Sequence, residues 1–85
     1  MPTPYEIFYD AIPNILGDGP KSHHEIAQQL RSDFPEYCDD SILCPHAETN
    51  LPEWDHVARN AEQVLQRNHI IRYNKVTQMW ELMQG

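Results

Sequence analysis

The chain has 85 residues, of which 40% are hydrophobic, and it carries a formal net charge of −7. This length predicts one small domain, residues 1–85, with a modest core. No run of about 18 apolar residues and no signal-peptide pattern occur, so we expect no membrane partner, and two cysteines without an export signal indicate the reducing cytoplasm.

The first predicted element is a helix over residues 4–16, where apolar side chains recur at helical spacing. Pro13 lies inside this pattern and is expected to kink the helix or end it early, because proline lacks the backbone donor of a helix interior. The segment 17–20, Gly-Asp-Gly-Pro, separates this helix from the next.

A second helix is predicted over residues 23–34. Ser22 and Glu25 have the spacing of a capping box, in which each side chain accepts from the backbone of the other. Residues 36–51 show no sustained period and are predicted to form a long connection, which is unusual in a small domain and often functional.

The third predicted helix covers residues 53–67 and is strongly amphipathic. Asn68 is expected to adopt the left-handed conformation that closes it. Its apolar stripe consists of Trp54, Val57, Ala58, Ala61, Val64 and Leu65.

Two short strands are predicted, over residues 70–73 and 76–80, with Asn74-Lys75 as the turn. The hairpin is expected to reach residue 82. Lys21-Ser22 could add a short strand to it. This order predicts an α+β winged helix-turn-helix, with three helices plus a C-terminal β-hairpin wing. The expected core comprises Phe8, Ile12, Ile26, Leu30, Trp54, Ala61, Leu65, Ile71, Trp80 and Leu82.

Polar side chains lie opposite the apolar stripe of the third helix, and two cations lie on the predicted wing. Arginine can read guanine and glutamine or asparagine can read adenine from the major groove, and wing cations suit phosphate. The predicted DNA-binding residues are His56, Arg59, Asn60, Gln63, Gln66, Arg67, Arg72 and Lys75.

The charge is unevenly distributed along the chain. Residues 1–50 carry two basic and nine acidic side chains, whereas residues 51–85 carry four of each. Nucleic-acid-binding domains are usually basic. Any DNA contact is therefore expected through the second part of the chain and to be weak outside a preferred sequence.

Cys38, Cys44, His46 and His56 are the candidates for a metal site, since thiolate and imidazole can form a tetrahedral zinc site. Their spacing is not a standard zinc pattern, so no metal and no other cofactor is expected. His23, in a first helical turn, is expected to be solvated. No nucleophile pattern accompanies it, so no enzymatic activity is expected.

An aromatic pocket for an extruded or methylated base is a further possibility, formed by Tyr37, Trp54 and Tyr73. Trp54 is in phase with the apolar stripe of its helix, so a place in the core is the simpler interpretation for it.

A set of residues in the second part of the chain forms a recognisable pattern: Cys44, Pro52, Glu53, Trp54, His56, Arg59, Asn60, Ala61, Leu65, Ile70, Ile71, Trp80, Glu81 and Leu82. In these residues the chain resembles the winged-helix domain at the end of Mrr-type and other modification-dependent restriction endonucleases. The resemblance implies DNA binding, in some members with discrimination of methylated bases, while a separate domain cuts. By position it assigns His56, Arg59 and Asn60 to the DNA side of the recognition helix, with Trp54 and Trp80 as its support.

The sequence therefore predicts a non-catalytic module whose partners are double-stranded DNA, including methylated DNA, and a linked nuclease domain or partner protein. One alternative is an acidic protein-interaction module or DNA mimic of the phage or anti-restriction type. A small metal-binding enzyme is the other. A basic strip over the third helix and the hairpin would favour DNA, and a mainly acidic surface would favour a protein partner.

Overall fold

The structure is a computed structural model that describes residues 3–40 and 52–83. Within these ranges the chain has three α-helices followed by a two-stranded antiparallel hairpin, as predicted, so the fold class is α+β. In chain order the elements are α1 (Pro4–Leu16), α2 (His23–Asp33), α3 (Glu53–Arg67), β1 (Ile71–Asn74) and β2 (Met79–Leu82).

The start of α2 confirms the predicted capping box. The backbone N–H of Glu25 donates to Ser22 Oγ, and the N–H of Ser22 donates to Glu25 Oε1, both at 3.2 Å. The two bonds satisfy two backbone donors that the helix itself leaves unpaired. The helix ends at Asp33, one residue before the prediction, and a single 3₁₀ turn follows at Pro35–Tyr37.

Helix α1 covers Pro4–Leu16 as predicted, so of the two effects expected of Pro13 the early end of the helix is wrong. Proline removes one backbone hydrogen bond from a helix interior. Ile15 and Leu16, in the turn after the proline, are both buried in the core. We infer that their burial outweighs the lost hydrogen bond and keeps the last turn helical.

Helix α3 covers Glu53–Arg67 as predicted, but the left-handed residue that follows it is one position later than expected. Asn68 has φ −86°, and it is His69, with φ 60°, that adopts the left-handed conformation. The N–H of Ile70 donates to the Leu65 carbonyl at 3.0 Å, and that of His69 donates to the Gln66 carbonyl at 3.0 Å. These two bonds form a Schellman motif, which turns the chain directly into the hairpin.

The predicted turn at Asn74-Lys75 is wrong, because Asn74 belongs to β1 and the connection is the four-residue loop 75–78. The Asn74 side-chain oxygen accepts from the N–H of Val76 at 2.9 Å, which is the local bonding that asparagine favours in turns. Gln78 closes the loop with φ 59°, and its N–H donates to the Asn74 carbonyl at 2.7 Å.

The hairpin register places four residues on one face, with Ile71 opposite Leu82 and Tyr73 opposite Trp80. The predicted short strand at Lys21 is present as an isolated antiparallel bridge to Trp80. Its two backbone hydrogen bonds measure 2.9 and 2.7 Å. The segment between α1 and α2 is therefore tied to β2.

The core packs α1 against α3 and the hairpin, with α2 on one side. The predicted core is confirmed except at Leu82, which is 37% exposed although it shares a face with Ile71, because it ends its strand. The arrangement is compatible with a winged helix. The confirmed core residues are Phe8, Ile12, Ile26, Leu30, Trp54, Ala61, Leu65, Ile71 and Trp80.

Across residues 3–40 and 52–83, no helix is both long enough and apolar enough to cross a membrane.

Candidate functional site

The outer face of α3 carries most of the predicted DNA-binding side chains. Five of the six are exposed, namely Arg59, Asn60, Gln63, Gln66 and Arg67. They lie opposite Ala58, Ala61 and Leu65, which are fully buried. The amphipathic pattern has therefore identified the exposed face of the helix correctly.

His56 is the exception within this set. It is only half-buried, and its Nε2 atom is buried without a hydrogen-bond partner among the described residues. This placement makes His56 a poorer candidate for contact with an external partner than its five neighbours on the helix.

A groove of about 360 Å³ lies between α3 and the hairpin. Three of the predicted residues, Arg59, Gln63 and Gln66, line its helix side. The hairpin contributes Tyr73 and Trp80, whose rings are tilted against each other with centroids 5.0 Å apart. The groove thus combines amide, guanidinium and aromatic groups from two separate elements.

An ionic cluster between α2 and α3 lines part of the same groove, through His23, Arg59 and Glu62. His23 Nδ1 lies 2.7 Å from Glu62 Oε1, and His23 Nε2 lies 3.2 Å from Asp55 Oδ1. The Arg59 Nε–H donates to the same Asp55 oxygen at 2.8 Å. Glu62 is only 2% exposed, so this cluster includes a carboxylate that is almost completely removed from solvent.

The geometry of the cluster requires a protonated His23, because both of its ring nitrogens face carboxylate oxygens and only the imidazolium can donate from both. Burial lowers the pKa of His23, but the hydrogen bonds to Asp55 and Glu62 outweigh it and raise the pKa from 6.5 to about 9. Burial also opposes ionisation of Asp55, yet bonds from His23 and Arg59 lower its pKa from 3.8 to about 2. Both groups are therefore charged at neutral pH.

The prediction that His23 would be solvated is wrong. The sequence contains a partial signal for its partners, because Asp55 and Glu62 are seven residues apart and so lie on one flank of α3. Nothing in the sequence connects them with a residue on another helix, 32 and 39 positions away.

Of the four basic side chains in the second part of the chain, two form ion pairs with carboxylates and two do not within the described ranges. Arg59 is paired with Asp55, and Arg72 is paired with Glu81 across the hairpin, with 2.6 Å between Nε and Oε1. Within residues 3–40 and 52–83, Arg67 has no ion-pair partner. The same holds there for Lys75, which lies in the exposed hairpin loop.

The metal hypothesis receives no support within the described ranges, where no group of three or more histidine, cysteine or acidic side chains is arranged to hold a metal ion. Cys44 and His46 lie outside the described residues. Burial raises the pKa of the Cys38 thiol to about 11.

The structure separates the three aromatic residues that were considered as a base pocket. Tyr37 and Trp54 share a small cleft of about 170 Å³, whereas Tyr73 lines the groove between α3 and the hairpin. The Trp54 indole N–H donates to Asp40 Oδ1 at 2.8 Å, and its ring packs edge-on against Phe8. The hypothesis of a single base pocket formed by all three aromatic residues is therefore wrong.

Comparisons of the chain with protein-family models, with curated proteins and with solved structures gave no match.

Proposed function

We propose that this chain is a non-catalytic winged-helix module that binds double-stranded DNA, with α3 as the recognition helix and the hairpin as the wing. The observation that carries the proposal is the juxtaposition of an exposed polar face on α3 with a hairpin that bears two exposed cations, Arg72 and Lys75. A helix fits the major groove, and a neighbouring hairpin can then reach the phosphate backbone.

The side chains on this face have the chemistry needed to recognise bases. Arg59 can pair with the O6 and N7 atoms of guanine, and Gln63 and Gln66 can pair with the N6 and N7 atoms of adenine. Arg67 and Lys75 supply charge for phosphate contacts. These groups all lie on one helix and the loop beside it, so a single docking geometry can use them together.

Discrimination of methylated bases and linkage to a nuclease domain rest on the resemblance to modification-dependent restriction endonucleases. The groove between α3 and the hairpin adds a physical argument, because the Tyr73 ring, which is 38% exposed and packs on Trp80, offers apolar surface next to the polar helix face. A methyl group in the major groove presents the same kind of surface as the methyl of thymine.

The test is fluorescence anisotropy on duplex libraries at two salt concentrations, with and without N6-methyladenine or 5-methylcytosine. Arg59→Ala is expected to cost about 1–3 kcal/mol on the preferred sequence and to reduce discrimination. Lys75→Ala is expected to weaken binding to all duplexes alike and to lower the salt slope by about one ion.

Lys21→Ala is the matched control for Lys75→Ala. Lys21 lines a separate cleft with Glu25 and Gln29 of α2 and does not line the groove between α3 and the hairpin, so its removal is expected to leave the salt slope unchanged. Failure of every duplex to bind at low salt would overturn the DNA proposal.

The second candidate is a protein-interaction module, and the charge distribution is the observation that favours it. The net charge is −7, and two of the four cations in the second part of the chain already have carboxylate partners, Asp55 and Glu81. An acidic surface of this kind suits a basic protein partner. Binding to a basic protein, together with no binding to any duplex, would select this function.

A further inference from the structure

We infer that Asp55 fixes the guanidinium of Arg59 so that its outer edge reads a guanine base, with the buried His23–Glu62 pair holding Asp55 in place. This inference rests on the proposed DNA binding and specifies its ligand. Arg59 is the specificity-determining residue, and Asp55 is a positioning residue that acts through it.

The first step is the way Arg59 is held. Its Nε–H donates to Asp55 Oδ1 at 2.8 Å from one turn away on the same helix. Anchoring at Nε leaves the two terminal NH₂ groups without a hydrogen-bond partner among residues 3–40 and 52–83. Together they form a fork that matches the O6 and N7 acceptors of guanine. The Arg59 side chain is 51% exposed, so the fork is accessible to a partner.

The second step is the way Asp55 is held. His23 Nε2 lies 3.2 and 3.3 Å from the two Asp55 oxygens, and His23 Nδ1 lies 2.7 and 2.9 Å from those of Glu62. Glu62 is fixed by burial in α3, so the imidazole connects Asp55 to a rigid part of the fold. The carboxylate that anchors Arg59 is therefore not an ordinary mobile surface group.

The third step concerns the energetic cost of recognition. A free arginine loses side-chain entropy when it is ordered against a base, whereas a guanidinium already fixed in orientation loses less. Preorganisation therefore increases the share of binding that depends on the base. Arg67 on the same face has no ion-pair partner among the described residues and lacks this constraint.

The experiment uses the preferred duplex selected at low salt, with each guanine replaced in turn by 7-deazaguanine, which lacks the N7 acceptor. For the wild-type chain, one position is expected to show a loss of affinity of about tenfold. Arg59→Ala and Arg59→Lys are expected to abolish the sensitivity at that position. Asp55→Asn, which keeps the shape but weakens the anchor, is expected to remove most of it.

Two control variants separate reading of a base from general effects. Arg67→Ala is expected to weaken binding to every duplex while the sensitivity to 7-deazaguanine remains. Glu81→Gln removes the carboxylate of the other arginine pair, on the hairpin, and is expected to leave the sensitivity unchanged. All measurements are made at temperatures where circular dichroism shows each variant to be folded.

The contact itself is measurable in the wild-type chain, even if Asp55→Asn does not fold. The Arg59 Nε–H signal in NMR spectra is expected to exchange with solvent more slowly than the Arg67 signal. Equal exchange of the two, or full sensitivity in folded Asp55→Asn, would overturn the role of Asp55. If Arg59→Ala weakens binding to all duplexes equally, Arg59 contacts phosphate and the assignment of a guanine contact is wrong.

The proposed function and this inference fail in different ways. If no duplex binds, both are overturned together. If duplexes bind with sequence preference but no guanine position responds to 7-deazaguanine, only the inference is overturned and the DNA-binding proposal stands.

Discussion

Helix α3 has two buried sides, one apolar and one ionic, which contribute to the structure in different ways. On one side Ala58, Ala61 and Leu65 are fully buried against the apolar core. On the adjoining flank Asp55 and Glu62 enclose the protonated ring of His23. The first side gains stability from removal of apolar surface from water, whereas the second must recover the cost of desolvating charges before it contributes anything.

The apolar side contributes to the stability of the fold, whereas the ionic flank also contacts a residue of the exposed face. The apolar side needs only shape and volume, so many hydrophobic combinations would suffice. The ionic flank requires particular groups at particular distances, and it leads directly to Arg59 on the exposed face. We therefore expect substitutions on the apolar side to change stability, and those on the ionic flank to change pH dependence and recognition as well.

The largest expected effect is in the apolar core against which the first side of α3 packs. Trp80→Ala should lower the free energy of unfolding by about 3–5 kcal/mol, because Trp80 is buried between the hairpin and the helices and its removal leaves a cavity. A domain of this size has little stability to spare, so the variant should be largely unfolded. Urea denaturation followed by circular dichroism measures the change.

Val76→Ala is the control for Trp80→Ala. Val76 belongs to the same hairpin but is 92% exposed in its loop, so its truncation should leave the urea midpoint nearly unchanged. A near wild-type urea midpoint for Trp80→Ala would show that the stability of the apolar core does not depend on this residue.

The next effect belongs to the ionic flank and depends on pH. The folded-state pKa of His23 is about 9, above its ordinary 6.5, so the stability that His23 contributes is complete below about pH 6.5 and is lost as the pH rises through 9. The loss is at most about 3 kcal/mol. Asp55 acts in the opposite range, where its contribution is lost as the pH falls from 3.8 towards 2. Urea denaturation at a series of pH values measures both slopes.

His23→Gln should remove the alkaline slope. His24→Gln is the matched control, because His24 is the adjacent histidine on α2 and is exposed. Its profile should follow that of the wild-type chain. An unchanged alkaline slope in His23→Gln would mean that another group titrates there and that the ionic flank does not act through His23.

The smallest effect is expected at the exposed pair on the hairpin. Glu81→Gln should change the free energy of unfolding by less than about 1 kcal/mol, because solvent and salt screen a pair whose arginine side chain is 63% exposed. A double-mutant cycle with Arg72→Ala measures the coupling. A coupling as large as the His23 effect would remove the distinction between the ionic flank of α3 and the exposed pair on the hairpin.

The sequence by itself determined the elements that depend on local pattern. The stripe of α3, the capping box at Ser22 and the outer polar face that includes Gln63 and Arg67 all follow from spacing along one helix. Such features require only the helical period and the bonding capacity of nearby residues, so they are visible without a fold. The sequence did not determine which residue adopts the left-handed conformation after α3, since Asn68 was expected and His69 is observed.

Only the tertiary structure decided the ionic flank and the orientation of Arg59. His23 comes from α2, whereas Asp55 and Glu62 come from α3, and a histidine beside a capping residue looks solvated until the second helix packs against it. A pKa depends on burial and on charges within a few ångströms, and those distances exist only in the folded chain. The same limit applies to Leu82, whose apolar side chain is left partly exposed by its position at the end of a strand.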